Sequence, residues 1–387
     1  MKRISLLGAT GSIGKQVLEV IDANSELSLV AFSFYNNIEL ALNIIEKYRP
    51  QMVASPLEKY HDVISKKFPY IKITNNICDI TEINGDDIIV INALVGSSGL
   101  KPSYTCLNKG RDLLLANKES LVVAGEILTS LAKEKNVRII PIDSEHCAIA
   151  QVINGKQTSQ IDGLVLTASG GALFHLSKEE LKNVSVADAL KHPSWSMGAK
   201  ITIDSATMMN KGFEVIEACH LFNVTPDKVK ILIHPESIVH SLVSFNDKSM
   251  HAQLSVSDMR IPINYAINYP NLYDNYLSKE LELDKIGTLH FYPFDKERFS
   301  LVDTAVMAFN KKGFYPCVLN ASNEVAVNLF LNGKITFDKI ESIINECLEK
   351  TEELSKGLEL TIDNLILVTN KVKQMIEEGG KYESTCD

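Results

Sequence analysis

Residues 4–7 (Ile-Ser-Leu-Leu) run straight into Gly8-Ala9-Thr10-Gly11-Ser12-Ile13-Gly14, and no other junction constrains the fold as strongly. A short apolar strand and three glycines at G-x-x-G-x-x-G spacing precede a helix with Ile13, Val17, Val20 and Ile21 on one face, a strand–turn–helix unit. Glycine there permits a tight turn and lets backbone amides at a helix N-terminus approach a pyrophosphate. Further strands are predicted at residues 27–34, Ile88–Asn92, Leu113–Leu115 and 138–140, and helices at Ile38–Tyr48, 100–109 and 120–134. Alternation of this kind over roughly 140 residues means a doubly wound parallel sheet.

The end of the second strand carries an acidic residue when a ribose 2′-hydroxyl is recognised. Here it reads Phe32-Ser33-Phe34-Tyr35-Asn36-Asn37. The missing carboxylate removes the repulsion that excludes a 2′-phosphate, so NADP is favoured, with Ser33, Asn36 and Asn37 as candidate contacts. Val95-Gly96-Ser97-Ser98-Gly99 and Ala116-Asn117-Lys118-Glu119 follow later strand ends and point to the same sheet edge.

Beyond this half, the richest stretch is residues 201–217 (ITIDSATMMNKGFEVIE). Residues 201–203 read as the end of a short β-segment. Ser205, Thr207 and Asn210 then cluster hydrogen-bonding groups, Lys211 adds a positive charge, and Glu214 begins a helix. Donors and positive potential at a helix start suit a phosphate monoester. A net charge of −9 requires such a local basic pocket for any anionic substrate and argues against a nucleic-acid surface. Asp143-Ser144-Glu145-His146 follows the strand at 138–141; read as extended backbone, Asp143 and Glu145 project to one side. Paired carboxylates call for a divalent cation, with Glu214 as the natural third ligand. Three carboxylates favour Mg²⁺ or Mn²⁺ over zinc, with Co²⁺ as an alternative.

Thr167-Ala168-Ser169-Gly170-Gly171, after the strand at 164–166, is a second phosphate-cradle candidate. A polar helix-forming span follows at 177–190. His192-Pro193-Ser194-Trp195-Ser196-Met197-Gly198 holds the single tryptophan between Pro and Gly, which reads as a lid at residues 190–199. His192 and His240 are candidates for phosphate or hydroxyl contacts. Residues 270–294 read as a linker, and helices are expected at 302–309, 322–331, 336–350 and 361–378, the last closed by Gly379-Gly380 before a disordered tail at 381–387.

A chain of 387 residues calls for two or three domains: 1–143 binding nucleotide, 144–269 carrying the chemistry, 270–294 linking, and 295–387 helical. Seven scattered cysteines without a C-x-x-C fit reduced thiols, and no apolar run approaches a membrane span. Because Met1-Lys2-Arg3 leads directly into a strand, a bacterial cytoplasmic location is expected.

Taken together, the stretches 8–14 (GATGSIG), 116–119 (ANKE), 142–146 (IDSEH), 168–171 (ASGG), 192–198 (HPSWSMG), 204–214 (DSATMMNKGFE), 234–241 (HPESIVHS), 258–262 (DMRIP) and 319–327 (LNASNEVAV) resemble the 1-deoxy-D-xylulose 5-phosphate reductoisomerase family, in family order along essentially the whole chain. The resemblance implies an N-terminal Rossmann-like doubly wound sheet, an α+β catalytic domain with a flexible lid, and an α-helical C-terminal domain. It implies a homodimer that turns a five-carbon ketose phosphate into 2-C-methyl-D-erythritol 4-phosphate, using NADPH and one divalent cation.

By the same resemblance Asp143, Glu145 and Glu214 hold the metal. Ser169, Ser205, Asn210 and Lys211 hold the substrate phosphate beside His192; Ser144 also meets substrate, and Trp195 and Met197 belong to the lid. Gly8, Thr10, Gly11, Ser12, Ile13, Asn117, Glu119 and Gly198 line the cofactor, and Lys118 reaches the substrate. Two departures stand out: Ala172-Leu173 where the family has Pro-Phe, and Asn36-Asn37 where it often has a basic residue. Two rival readings are a semialdehyde or acyl-phosphate reductase using Cys147 or Cys219 as nucleophile, and a nucleotide-sensing regulator without turnover.

Overall fold

The computed structural model describes residues 1–85, 87–195 and 197–378, which divide into two compact units. The expected tail at 381–387, the closing pair Gly379-Gly380 and the lid residue Ser196 lie outside the described residues.

The first unit comprises residues 1–117, 126–147 and 258–280. Its sheet has seven strands: β1 (Lys2–Leu7), β2 (Leu27–Ser33), β3 (Met52–Ala54), β4 (Lys72–Thr74), β5 (Ile88–Asn92), β6 (Leu113–Leu115) and β7 (Ile139–Pro141), all paired in parallel in the order β4-β3-β2-β1-β5-β6-β7. Both faces are covered, so the strands are near-continuous apolar runs. Ile4, Leu6, Phe32 and Leu114 pack with Val17 and Ile21 of helix Ser12–Asp22 and with Ile263 and Ile267 of helix Arg260–Asn268. Each such buried side chain contributes about 1.5–3 kcal/mol. The chain runs outward from β1 to β4 and returns to β5 on the other side of β1. That reversal opens a crevice at the carboxyl ends of β1 and β5, where doubly wound sheets bind ligands.

The predicted strand and helix pattern is present. Residues 49–87 carried no prediction, yet they hold β3, β4 and helix His61–Lys67. Neither Met-Val-Ala nor Lys-Ile-Thr has the uniform aliphatic run that marks the equally short β6.

The second unit comprises residues 118–125, 148–257 and 281–387, described to 378. Its five-stranded sheet is mixed: β8 (Ile161–Ala168), β9 (Val229–Ile233), β10 (Val239–Phe245), β11 (Met250–Leu254) and β12 (Tyr292–Pro293) lie in the order β11-β10-β8-β9-β12. Only β8 and β9 run parallel. The span 177–190 resolves into two one-turn helices, Lys178–Leu181 and Val186–Ala189, each capped by a serine. Helices Leu301–Lys311, Tyr315–Leu331, Lys339–Glu349 and Ile362–Glu378 meet the expectation of a helical C-terminal part. The second begins seven residues before the predicted 322, because Pro316 sits in the first helical turn, where no hydrogen bond needs its missing N–H. Among the described residues no helix is long and apolar enough to cross a membrane.

Candidate active site

In the first unit, β1 delivers the chain to Gly8 at φ +82°, where a Cβ would lie 2.8 Å from the Ala93 carbonyl oxygen. Gly14 is equally constrained, since its Cβ would lie 2.2 Å from the Gly8 carbonyl oxygen. The Gly8 N–H donates to Ser33 Oγ at 3.0 Å, so the buried Ser33 hydroxyl anchors the loop from below. Gly11 is the N-cap of helix Ser12–Asp22 and lays no side chain over its first amides; no acidic residue stands in that first turn. The open, positive end of an eleven-residue helix therefore borders the crevice, a surface suited to a pyrophosphate. Thr10, Ser12 and Ile13 lie on this turn. Asn36 is exposed, while Asn37 caps helix Ile38–Tyr48 through its Oδ1, which accepts Leu40 N–H at 3.1 Å. Asn117 is buried and braces the loop after β5, donating to the carbonyls of Leu94 at 3.0 Å and Gly96 at 2.9 Å.

The same unit holds Asp143 and Glu145, with a corrected backbone: Ser144 opens helix Ser144–Ile153, so the two acids stand at a helix start, not on a strand. Asp143 Oδ1 accepts Glu145 N–H at 3.2 Å and lies 2.9 Å from Nδ1 of the fully buried His146. Ser144 Oγ donates to Glu145 Oε2 at 2.5 Å. Carboxylates fixed this way offer hard oxygen donors, the chemistry that Mg²⁺ and Mn²⁺ prefer.

In the second unit, residues 201–203 belong to helix Ala199–Ala206 and not to a β-segment. Their β-branched side chains read as strand, but Thr202 and Ile203 face the interior, and burial decides over propensity. Helix Met209–Phe222 then starts five residues before Glu214, the expected start. The corner between the two helices is Met208, a left-handed residue at φ +61°. A non-glycine residue there costs on the order of 1 kcal/mol. Thr207, an expected phosphate donor, is used by the corner itself: its hydroxyl donates to Asp204 O at 3.2 Å and accepts Met209 N–H at 3.3 Å.

Past that corner stands a buried charge cluster. Glu214 is 1% exposed, and its Oε1 accepts from Lys118 Nζ at 3.1 Å and Asn210 Nδ2 at 2.5 Å. Its Oε2 is bonded by Lys211 Nζ, which also donates to Thr167 O at 2.6 Å. Two ammoniums and an amide thus hold the oxygens of one buried carboxylate in place.

Ser169 stands beside the cluster's Thr167 anchor, at the end of β8. Gly171 at φ +69° brings the Ser169-Gly170-Gly171 turn against Ser205, where a Cβ would meet the Ser205 carbonyl oxygen at 2.7 Å. Ser169 Oγ lies 3.0 Å from His192 Nε2. His192 Nδ1 accepts the N–H groups of Ser194 at 3.2 Å and Trp195 at 3.0 Å. With Nδ1 accepting, Nε2 carries the ring proton and donates to Ser169. One imidazole thus ties the tryptophan loop to the serine turn. Trp195 rests 6.1 Å from the His240 ring, and Met197 and Gly198 complete the loop.

Sequence reasoning missed Lys200, Asp204 and Asn323, buried or nearly so, which join Glu119 in a polar chain. Asp204 and Asn323 lay in matched stretches without an assigned role, and partners this far apart in sequence leave no periodic signal. The cysteine-nucleophile rival fails on burial: the Cys219 thiol is pushed up to about 12, and the buried Cys147 donates its S–H to Pro262 O. Neither is a thiolate in waiting.

Comparison with known proteins agrees. The description "1-deoxy-D-xylulose 5-phosphate reductoisomerase" matches residues 4–125, its "C-terminal domain" matches 139–222, and "DXP reductoisomerase C-terminal domain" matches 254–375. The 1-deoxy-D-xylulose 5-phosphate reductoisomerase of Bacillus subtilis is 46% identical over 92% of this chain and 94% of its own. That of Clostridium perfringens is 44% identical over 98% of this chain and 99% of its own. A crystal structure of DOX-P reductoisomerase in complex with NADPH, fosmidomycin and magnesium superposes with a TM-score of 0.91 at 34% identity, covering 98% of each chain. The Zymomonas mobilis enzyme in complex with NADPH gives 0.88 at 31% identity, covering 96% of this chain and 97% of that one. The chain belongs to the 1-deoxy-D-xylulose 5-phosphate reductoisomerase family.

Proposed function

We propose that the protein converts 1-deoxy-D-xylulose 5-phosphate to 2-C-methyl-D-erythritol 4-phosphate by metal-dependent isomerisation and NADPH-dependent reduction, in isoprenoid biosynthesis. The observation that carries this reading is the buried Glu214 carboxylate gripped by Lys118, Asn210 and Lys211, in a chain that matches the family end to end. Asp143, Glu145 and Glu214 are the residues that would hold the cation, and as three hard carboxylates they fit Mg²⁺ or Mn²⁺. When bound, the cation polarises the ketone and acidifies the neighbouring hydroxyl.

The chain's own residues supply the rest. Ser169, Ser205, Asn210 and Lys211 take the phosphate, and its remote binding energy fixes the sugar's orientation. His192 keeps the serine turn and the tryptophan loop in register, and Trp195 and Met197 close over substrate to exclude water. Lys118 holds a positive charge against Glu214 where substrate oxygens develop negative charge. Gly8 to Ile13 leave room for the NADPH pyrophosphate, with Ser33, Asn36, Asn37, Asn117, Glu119 and Gly198 as further contacts. Residues 1–143, 144–269, 270–294 and 295–387 serve as nucleotide-binding, catalytic, linking and buttressing parts of a cytoplasmic homodimer.

The test is NADPH oxidation followed by absorbance with the ketose phosphate, Mg²⁺ present or chelated. Turnover that needs both substrate and cation is expected. Turnover unaffected by complete chelation would sink the metal assignment, and no turnover with either Mg²⁺ or Mn²⁺ would sink the reaction.

A further inference from the structure

Helix Lys118–Lys135 is not continuous: Ala124 leaves helical geometry at φ −135°, ψ 28°, so the turn bearing Lys118 is a short segment of its own. It is held at two points. Behind it, Gly125 lies so close under the His220 ring that a Cβ would come within 2.2 Å of it. In front, Glu119 Oε1 accepts from Lys200 Nζ at 3.0 Å. Lys200 is itself fixed by Asp204 Oδ2 at 2.7 Å, and its ammonium lies 5.2 Å from the centre of the Phe213 ring. Asp204 Oδ1 in turn accepts from Asn323 Nδ2 at 2.8 Å, within helix Tyr315–Leu331. The side chains of Glu119 and Asp204 are 11% and 2% exposed, so the attraction is weakly screened.

From this chain of contacts we infer that Lys200 is a positioning residue: fixed by Asp204 and Asn323, it acts through Glu119 to hold the Lys118 ammonium on Glu214. The inference rests on the proposed reaction. Burial favours the neutral form of Glu119, but the Lys200 ammonium outweighs it and keeps the carboxyl below its ordinary range. Lys200 also lies one residue inside the helix that follows the tryptophan loop, so the same anchor fixes the loop's exit. Glu119 thereby has work besides the cofactor contact that family resemblance implies.

The experiment compares Glu119→Ala with Glu119→Gln, whose amide oxygen still accepts from Lys200. For Glu119→Ala, kcat falls about thirtyfold while KM for the ketose phosphate stays within about twofold. The NADPH Kd, read by fluorescence titration without turnover, rises by no more than about fivefold, the share of the cofactor contact that Glu119 also makes. Glu119→Gln, which keeps the hydrogen bond and loses the charge, lowers kcat less than Glu119→Ala does. An NADPH Kd raised tenfold or more with kcat intact makes Glu119 a cofactor contact alone and overturns the inference. A lower thermal midpoint with every constant unchanged makes it a mere brace and does the same. If Glu119→Ala does not fold, Glu119→Asp is read instead: about tenfold lower kcat supports the inference and an unchanged kcat ends it. Wild-type turnover in the same assay separates this from the proposed reaction: with the parent active and Glu119→Ala unaffected, only the inference falls.

Discussion

Two helix starts in this molecule are prepared for anions by opposite means. At Gly8–Gly14 the chain removes side chains, so that backbone amides and helix dipole face outward with nothing in front of them. Around Ser205–Glu214 it adds them, packing the ammoniums of Lys211 and Lys118, an amide and a carboxylate into a buried corner. Clearing space costs little and binds any pyrophosphate-like group. A buried charge cluster costs desolvation and demands a partner of matched shape and charge. The first suits a widely used cofactor, the second a particular substrate.

The sharpest way to break this contrast is Glu214→Gln. Turnover is expected to fall about a thousandfold, because Lys118 and Lys211 lose a buried carboxylate partner and the proposed cation loses a ligand. NADPH affinity by fluorescence should not change; if it falls in parallel, the two sites are not independent.

Acid gives the next largest effect. His220 belongs to the second unit, and burial pushes its pKa down to about 4. Unfolded, it binds a proton near pH 6.5, so between these values the unfolded chain holds more protons and stability drops as pH falls. The full loss, about 3 kcal/mol, is reached below pH 4 and absent above about 6.5. Denaturant unfolding at pH 7 and 4.5 checks it, with His220→Gln removing much of this pH dependence.

Smaller is Gly14→Ala, whose methyl would overlap the Gly8 carbonyl; about 2 kcal/mol of stability and several-fold weaker NADPH binding are expected. Gly11→Ala sharpens this, since its Cβ would meet only that carbonyl at 3.4 Å: the thermal midpoint should hold while NADPH affinity drops. Lys211→Ala closes the series, raising KM for the ketose phosphate about tenfold with the NADPH Kd unchanged.

The two regions also differ in how far the sequence betrays them. The glycine loop was legible because spacing, strand and helix all lie within one local unit. The residues of the corner were legible too, but not their backbone. Ile201-Thr202-Ile203 has strand composition inside a helix, and Asp143 and Glu145 stand at a helix start that the preceding strand concealed. Least visible was the Glu119–Lys200–Asp204–Asn323 chain, whose members meet only through folding and obey no period. Strands β3 (Met-Val-Ala) and β4 (Lys-Ile-Thr) escaped because neither has the uniform run of large aliphatic side chains that marks β6 (Leu-Leu-Leu).

The left-handed turn at Met208 has one more implication. Because Ser205 and Lys211 flank that single bend, the spacing of their backbones is settled locally, by a few torsion angles. It means that a β-branched residue at 208, which resists those torsions, would spread the two walls apart while every wall residue kept its identity.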